Sequence, residues 1–421
     1  LATGAIQTIG SENEGIRFWQ WDGAGTGKAL LLYVSTHYSV GGEFAIHDLA
    51  DGARTPLTTA TTWDLALDYG DGAAWIDATH LLIGGYARSA SGLWILDTAS
   101  GAIENIALAD TYEVGLVTRP GSPYVVRAWG GADGVGELIV HNIKTRTSTR
   151  ITHLNDDYFR ETPPATVERM QARSDGLDVE FLLTKPADFD PAKRYPVVAF
   201  VHGGPHMFHH FAYTDSAQLL ASQGYLVVSP NPRGSISYGA EFAAGCVGDW
   251  GGGDWRDIVA SLDKALELPY ADPERTAIYG YSYGGYMSSW AIGQTTRFKA
   301  AVIGAPITDL ISRYGTSDIG YPIGNVEYDG EFPALHDWAV ERSPMTHVHK
   351  ATTPTLILHP EEDHRCPIGQ GEQLFIGLLK ANVETEFIRY PGQSHLMPWG
   401  GPSAYRVDFH TRVLAWMAAH L

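Results

Sequence analysis

Cysteine is scarce in this sequence: two residues, Cys246 and Cys366, in a chain of 421. That excludes a disulfide framework, and spacing alone does not say whether the two pair. Positive charge is also short, with 29 Lys and Arg against 48 Asp and Glu and a formal net charge of −19. Such a surface repels polyanions, so neither nucleic acid nor an anionic membrane is expected as a partner. No apolar run approaches the roughly 18 residues that a membrane helix requires. Low-complexity tracts and runs of like charge are missing as well. No Asn-x-Ser/Thr acceptor site occurs, which favours the cytoplasm over secretion. The first residue is Leu1 rather than Met, which reads as a processed or truncated start. The lack of a leader therefore says little about compartment. What remains is a globular composition, 44% hydrophobic and 18% charged, long enough for two domains with separate cores.

The chain up to about residue 155 reads as all-β. Three segments resemble one another: Gly42-Gly-Glu-Phe-Ala-Ile-His-Asp48, Ser91-Gly-Leu-Trp-Ile-Leu-Asp97 and Val135-Gly-Glu-Leu-Ile-Val-His-Asn142. Each is followed by a polar turn and a further strand, at Arg54–Leu57, Ile103–Ile106 and Ser148–Ile151. Aligned on Asp48, Asp97 and Asn142, the spacings are 49 and 45 residues. A repeat of that length built from short strands predicts β-propeller blades, with a β-sandwich as the alternative. With strand-like Gly15–Trp21 the count reaches three to four blades over residues 1–158. An unclosed propeller would leave sheet edges exposed. The expectation is therefore a small propeller, or one completed by an earlier segment, another chain or a second copy. The tract Asp22-Gly-Ala-Gly-Thr-Gly-Lys28-Ala29 has Asp22 where a phosphate loop needs glycine and Ala29 where it needs a hydroxyl. It lies among strands and reads as a turn.

Residues 155–195 read as a connection, broken by Glu161-Thr-Pro-Pro164 and carrying a hairpin around Asp175–Leu183. From there strands and helices alternate. Strands are predicted at 197–201, 225–229, 277–279, 300–303, 355–359 and 386–390. Helices are predicted near 214–223, 253–268, 284–294, 369–381 and 404–420. Short apolar strands between helices predict a mostly parallel, doubly wound sheet in an α/β domain over 159–421.

Within that domain, Tyr279-Gly280-Tyr281-Ser282-Tyr283-Gly284-Gly285 holds the pattern Gly-x-Ser-x-Gly between a strand and a helix. A serine at the apex of a sharp strand-to-helix turn is a nucleophile elbow, and the glycines relieve crowding there. A serine hydroxyl needs a base, a carboxylate to orient the base, and donors for the developing oxyanion. On a sheet of this kind the acid and then the histidine follow the nucleophile. Asp363 follows the strand Thr355–His359, with Glu361 and Glu362 as local competitors. His395 follows the strand ending at Tyr390, in a Pro-Gly turn. The oxyanion donors are expected to be the backbone N–H of Tyr283 and one from His202-Gly-Gly-Pro-His206 after Val197–Val201. The histidines His202, His206, His209 and His210 have no carboxylate or cysteine at ligand spacing, so no metal site and no cofactor are expected.

These residues resemble the prolyl oligopeptidase family of serine peptidases, in its acylaminoacyl-peptidase and dipeptidyl-peptidase-like branch. The matching stretches are His202-Gly-Gly-Pro205, Asn231-Pro-Arg-Gly-Ser235, Gly248-Asp-Trp-Gly-Gly252, Gly280–Gly285, Tyr314-Gly-Thr-Ser-Asp318, Asp363-His-Arg-Cys-Pro367 and Tyr390-Pro-Gly-Gln-Ser-His395. They span about residues 165–421 in the family's order. The resemblance implies an α/β-hydrolase domain preceded by a propeller, the triad Ser282, Asp363 and His395, and Gly204 rather than Gly203 as the loop donor. It also implies oligopeptide or small acyl-amino-acid substrates. Two departures stand out: His359-Pro360 where the family has His-Gly, and a far shorter propeller. The residues themselves leave two alternatives to a peptidase, an esterase or amidase with the same triad and a non-catalytic propeller scaffold.

Overall fold

The computed structural model describes residues 14–21, 28–35, 42–48, 50–58, 66–67, 72–131 and 134–421. The chain divides into two compact units. One holds the residues up to Glu161 together with His210–Ala212 and Ile236–Ala244. The other holds Thr162–His209, Tyr213–Ser235 and Gly245–Leu421.

Among the described residues, the first unit contains three antiparallel sheets in chain order. β1 (Glu14–Trp21), β2 (Lys28–Ser35), β3 (Gly42–Asp48) and β4 (Arg54–Pro56) form the first. β5 (Ala66–Leu67), β6 (Ala73–Trp75), β7 (His80–Ala87), β8 (Ala90–Asp97) and β9 (Ile103–Ala109) form the second, where β5 and β6 both pair with β7. β10 (Tyr112–Val117), β11 (Tyr124–Gly131), β12 (Gly134–Asn142) and β13 (Thr147–Arg150) form the third. The sequence repeats fall on the last two strands of each sheet. The residues used to align them have one job: Asp48, Asp97 and Asn142 each end a strand and accept the N–H two residues on, from Ala50, Ala99 and Lys144 at 2.9, 2.9 and 3.0 Å. Gly15–Trp21, counted from sequence toward a fourth blade, belongs to the first sheet because β1 pairs along its length with β2. The glycine-rich tract at 22–27 lies outside the described residues; the strands flanking it pair with Trp21 opposite Ala29.

Side-chain alternation along β7 makes a core on each face of the second sheet. Leu81 and Ile83 join Trp94, Leu96 and Phe44 in one cluster, whereas Leu82 joins Leu93, Leu116 and Val125 in another. Each fully buried Leu, Ile or Phe contributes about 1.5–3 kcal/mol.

The second unit is built on one mixed, mostly parallel sheet. Its strands are β14 (Thr166–Ser174), β15 (Leu177–Lys185), β16 (Tyr195–Val201), β17 (Leu226–Pro230), β18 (Ala271–Tyr281), β19 (Ala300–Gly304), β20 (Thr355–Pro360) and β21 (Thr385–Tyr390). Their order is β14-β15-β17-β16-β18-β19-β20-β21, parallel from β17 onward. The connection read at 155–195 is largely a hairpin in this sheet. Asp175 and Gly176 turn it with φ of 49° and 84°, the two positive values a tight two-residue loop needs. β15 then pairs antiparallel with β17. Interior strands β17, β19 and β20 are buried at every position, as expected where helices cover both faces. Helix Gly253–Leu266 packs on β14, β15 and β17, Tyr283–Gln294 on β18 and β19, and Ser403–His420 on β19 and β20. Three further helices, Leu310–Thr316, Gly320–Glu327 and His336–Arg342, were not expected from sequence. Gly315 and Pro322 interrupt the first two, and the third is only seven residues long.

β16 has β17 on one side and β18 on the other. The chain therefore reverses its winding direction there, which opens a crevice at the carboxyl ends of β16 and β18.

Candidate active site

Four loops converge at the carboxyl ends of β16, β18, β20 and β21, and each carries one of the residues singled out from sequence. Ser282 terminates β18 with φ 62° and ψ −120°, a conformation costly for a residue with a side chain. The neighbours enforce it. A Cβ on Gly280 would lie 2.2 Å from Gly284 O, and one on Gly284 would lie 2.2 Å from Val201 O. Only glycines let strand, turn and helix approach this closely. The Ser282 N–H donates to Gly304 O on β19 at 3.0 Å, which fixes the apex to the next strand.

His395 reaches the serine from the loop after β21, with Nε2 3.0 Å from Ser282 Oγ. Its Nδ1 lies 2.6 Å from Asp363 Oδ2. The carboxylate is buried, and its other oxygen, Oδ1, accepts the N–H groups of Arg365 (2.9 Å) and Cys366 (2.7 Å). That turn geometry also separates Asp363 from its competitors. Glu361 pairs with Arg389 at 2.8 Å and Glu362 is exposed. Ser282, Asp363 and His395 thus lie in one hydrogen-bonded line. Chemically, such a line can pass the serine proton to the imidazole as the oxygen attacks, while the carboxylate steadies the imidazolium.

Tyr283 opens the helix Tyr283–Gln294, so its N–H is among those without a partner inside the helix. Gly203 lies close to the serine; a Cβ there would lie 3.6 Å from Ser282 Cβ. Gly204 follows with φ +121° and turns the loop back on itself, so that its own Cβ would meet His206 N at 2.3 Å. The loop is held from behind. His202 Nε2 lies 3.0 Å from Ser235 Oγ. Asn231 accepts the His209 N–H at 2.6 Å and donates to its carbonyl at 2.9 Å. Burial lowers the His202 imidazole to about 4, so it stays neutral near pH 7.

Several supporting residues were not found from sequence. The Tyr281 hydroxyl donates to His395 O at 3.0 Å and ties the histidine loop to β18. His359, also lowered to about 4 by burial, donates from Nε2 to Cys366 O at 2.7 Å and closes the acid loop. Cys366 Sγ lies 4.0 Å from Ser282 Oγ, and burial pushes its thiol up to about 12, so it remains protonated. Both cysteines are free. Asp318 clasps Arg365 at 2.8 Å, which docks Tyr314–Asp318 on the acid loop. Beneath the elbow the Tyr283 ring meets Trp250 edge-on, centroids 5.0 Å apart, and its hydroxyl donates to the buried Asp254. Position before the serine was the one signal available for Tyr281, and spacing gives none for the rest.

A sequence model describing the prolyl oligopeptidase family matches residues 210–421. Among curated proteins, the chain is 35% identical over 347 residues to an uncharacterized peptidase, YuxL, of Bacillus subtilis, covering 82% of this chain and 52% of that one. It is 26% identical over 380 residues to dipeptidyl-peptidase 5 of Porphyromonas gingivalis, covering 88% and 54%. Among solved structures, it is similar to the acylaminoacyl peptidase of Pyrococcus horikoshii, with a TM-score of 0.83 and 25% identity over 95% of this chain and 63% of that one. The chain spans about half the length of the curated relatives it matches.

Proposed function

The chain belongs to the prolyl oligopeptidase family, and from that premise we propose that it is a serine peptidase hydrolysing short or N-acylated peptides through an acyl-enzyme on Ser282. The observation that carries this is the line Ser282 Oγ to His395 Nε2 to Asp363, at 3.0 and 2.6 Å, at the apex of a strained turn. In the proposed mechanism Ser282 Oγ attacks the scissile carbonyl as His395 takes its proton. The Asp363 carboxylate stabilises the imidazolium. The oxyanion is met by the Tyr283 N–H and by a second donor from the glycine loop, which we assign to Gly204. His395 returns the proton to the leaving amine, and water repeats the sequence on the acyl-enzyme.

In this reading the eight-stranded unit is an α/β-hydrolase domain over 159–421 and the three small sheets over 1–158 are blades of a propeller. The names of the acylaminoacyl peptidase and dipeptidyl-peptidase relatives support a short peptide with a free or acylated amino terminus. The test is a panel of acyl-amino-acid and dipeptidyl anilides run beside short-chain aryl esters, with a fluorophosphonate probe as a monitor of Ser282. Labelling and anilide turnover together support the reading. Ester turnover alone would make the protein an esterase, and failure to label would remove the mechanism.

A further inference from the structure

Behind the glycine loop, three side chains of different chemistry converge. His206 comes from the loop after β16, Cys246 from the turn after the short helix Ala240–Ala244, and Glu327 from the end of helix Gly320–Glu327. One ligand atom from each lies within 4.8 Å of the others. The thiol is free and fully buried, and Glu327 is 1% exposed. His206 Nδ1 lies 2.7 Å from Gly234 O, while Nε2 faces Glu327 Oε1 at 2.8 Å. The second Glu327 oxygen, Oε2, is buried and has no hydrogen-bond partner among the described residues. That is costly for a carboxylate unless something else meets it. The frame around these atoms is already built. The Gly248 N–H donates to Glu327 O at 2.9 Å, and a Cβ on Gly234 would fall 2.6 Å from Cys246 Sγ.

We propose that His206, Cys246 and Glu327 form a binding site for one zinc ion, or another borderline-soft divalent cation of that class. The ligand set decides the class. Thiolate, imidazole and one carboxylate suit zinc with a fourth position for water, whereas calcium and magnesium require a shell of oxygens. A backbone carbonyl on His206 Nδ1 fixes the tautomer with Nε2 free to coordinate, the usual support for a ligating histidine. Charge closes as well. The ion displaces the thiol proton and the proton shared by His206 and Glu327, leaving a dication, a thiolate and a carboxylate at net zero. Tetrahedral bonds of about 2.0–2.3 Å set neighbouring ligand atoms roughly 3.3–3.7 Å apart. His206 and Glu327 therefore open slightly while the thiolate closes in. His206 lies two residues past Gly204, so the ion would clamp the loop from behind without touching the reacting atoms. No ligand search along the His202–His210 run could find this site, because its partners stand 40 and 121 residues away.

The test uses cobalt as the probe, on the whole chain freed of metal by chelator and dialysis. One equivalent of cobalt is expected to give a thiolate-to-cobalt charge-transfer band. Zinc should abolish that band stoichiometrically, and about two protons should be released per ion. Cys246→Ser should lose the band, Glu327→Gln should bind at least roughly tenfold more weakly, since losing a ligand costs no less than losing an outer-shell partner, and Cys366→Ser should keep it. Circular dichroism and fluorophosphonate labelling of Ser282 report separately whether each variant is folded and whether the triad reading stands. If the variants misfold, a rise in the melting midpoint of the unaltered protein with one equivalent of zinc decides the matter. No band and no such rise, or a band that survives in folded Cys246→Ser, overturns the proposal.

Discussion

Asp254 provides the sharpest physical test of the elbow. Its carboxyl is fully buried and accepts the Tyr283 hydroxyl, the Gly251 N–H (3.1 Å) and the Trp255 N–H (2.7 Å). Burial, with a smaller push from Asp249, outweighs those donors and raises the group from 3.8 to about 6. The folded state therefore holds this proton more tightly than the unfolded state does. The resulting stability is complete below about pH 3.8 and is lost as pH rises through 6. Two units at about 1.4 kcal/mol each make the whole effect about 3 kcal/mol, of which about 2 kcal/mol falls between pH 4.5 and 7.5. Asp254→Asn keeps one acceptor but turns an amide toward an N–H, a penalty that does not vary with pH. Urea unfolding followed by tryptophan fluorescence, to which Trp250 on the Tyr283 ring contributes, should be run on both proteins across that range. The wild type should lose about 2 kcal/mol relative to the variant from pH 4.5 to 7.5. Parallel stability curves would refute the reasoning.

Ser282→Ala should leave the circular dichroism and melting midpoint unchanged, abolish fluorophosphonate labelling and lower kcat about a million-fold, read by anilide hydrolysis. Asp363→Asn removes the acceptor for His395 Nδ1 at 2.6 Å, and a loss of about ten-thousand-fold in kcat is expected with labelling slowed in proportion. Tyr281→Phe deletes the donor to His395 O; about 1 kcal/mol of stability and a several-fold fall in kcat at unchanged KM are expected from melting and steady-state assays. Gly280→Ala forces a methyl to within 2.2 Å of Gly284 O and should cost about 3 kcal/mol or more, seen as a lower melting midpoint or loss of soluble protein.

Much of the second unit was legible in the sequence because its signals are local. Every strand and helix predicted from 197 onward has its counterpart, since runs such as Leu226–Pro230 and Ala300–Gly304 are short, largely apolar and buried at every position, as interior strands are. Helices Leu310–Thr316, Gly320–Glu327 and His336–Arg342, which lie between β19 and β20, were not legible. They are short, two of them carry glycine or proline inside, and they are defined by what they pack on, although Asp309 caps one by accepting from Ile311 and Ser312 at 3.0 Å each. In the first unit the aligned Asp48, Asp97 and Asn142 carried a local turn signal that survived as hydrogen bonds. The sheet to which Gly15–Trp21 belongs depended on pairing with β2, which no local pattern encodes.

The sequence by itself determined the alternation of strands and helices, the apex serine with its flanking glycines, and the chain order of acid and histidine. Those are properties of neighbours a few residues apart, where steric limits act directly. Spacing left Glu361 and Glu362 beside Asp363, and the tertiary structure shows physically why Asp363 faces His395: its carboxylate turns back on the N–H groups of Arg365 and Cys366. Tertiary structure also gave Tyr281, His359 and Asp254 their supporting roles and brought Cys246 and Glu327 to His206. Those contacts join residues tens of positions apart, and their strength comes from burial, which exists only once the chain has folded.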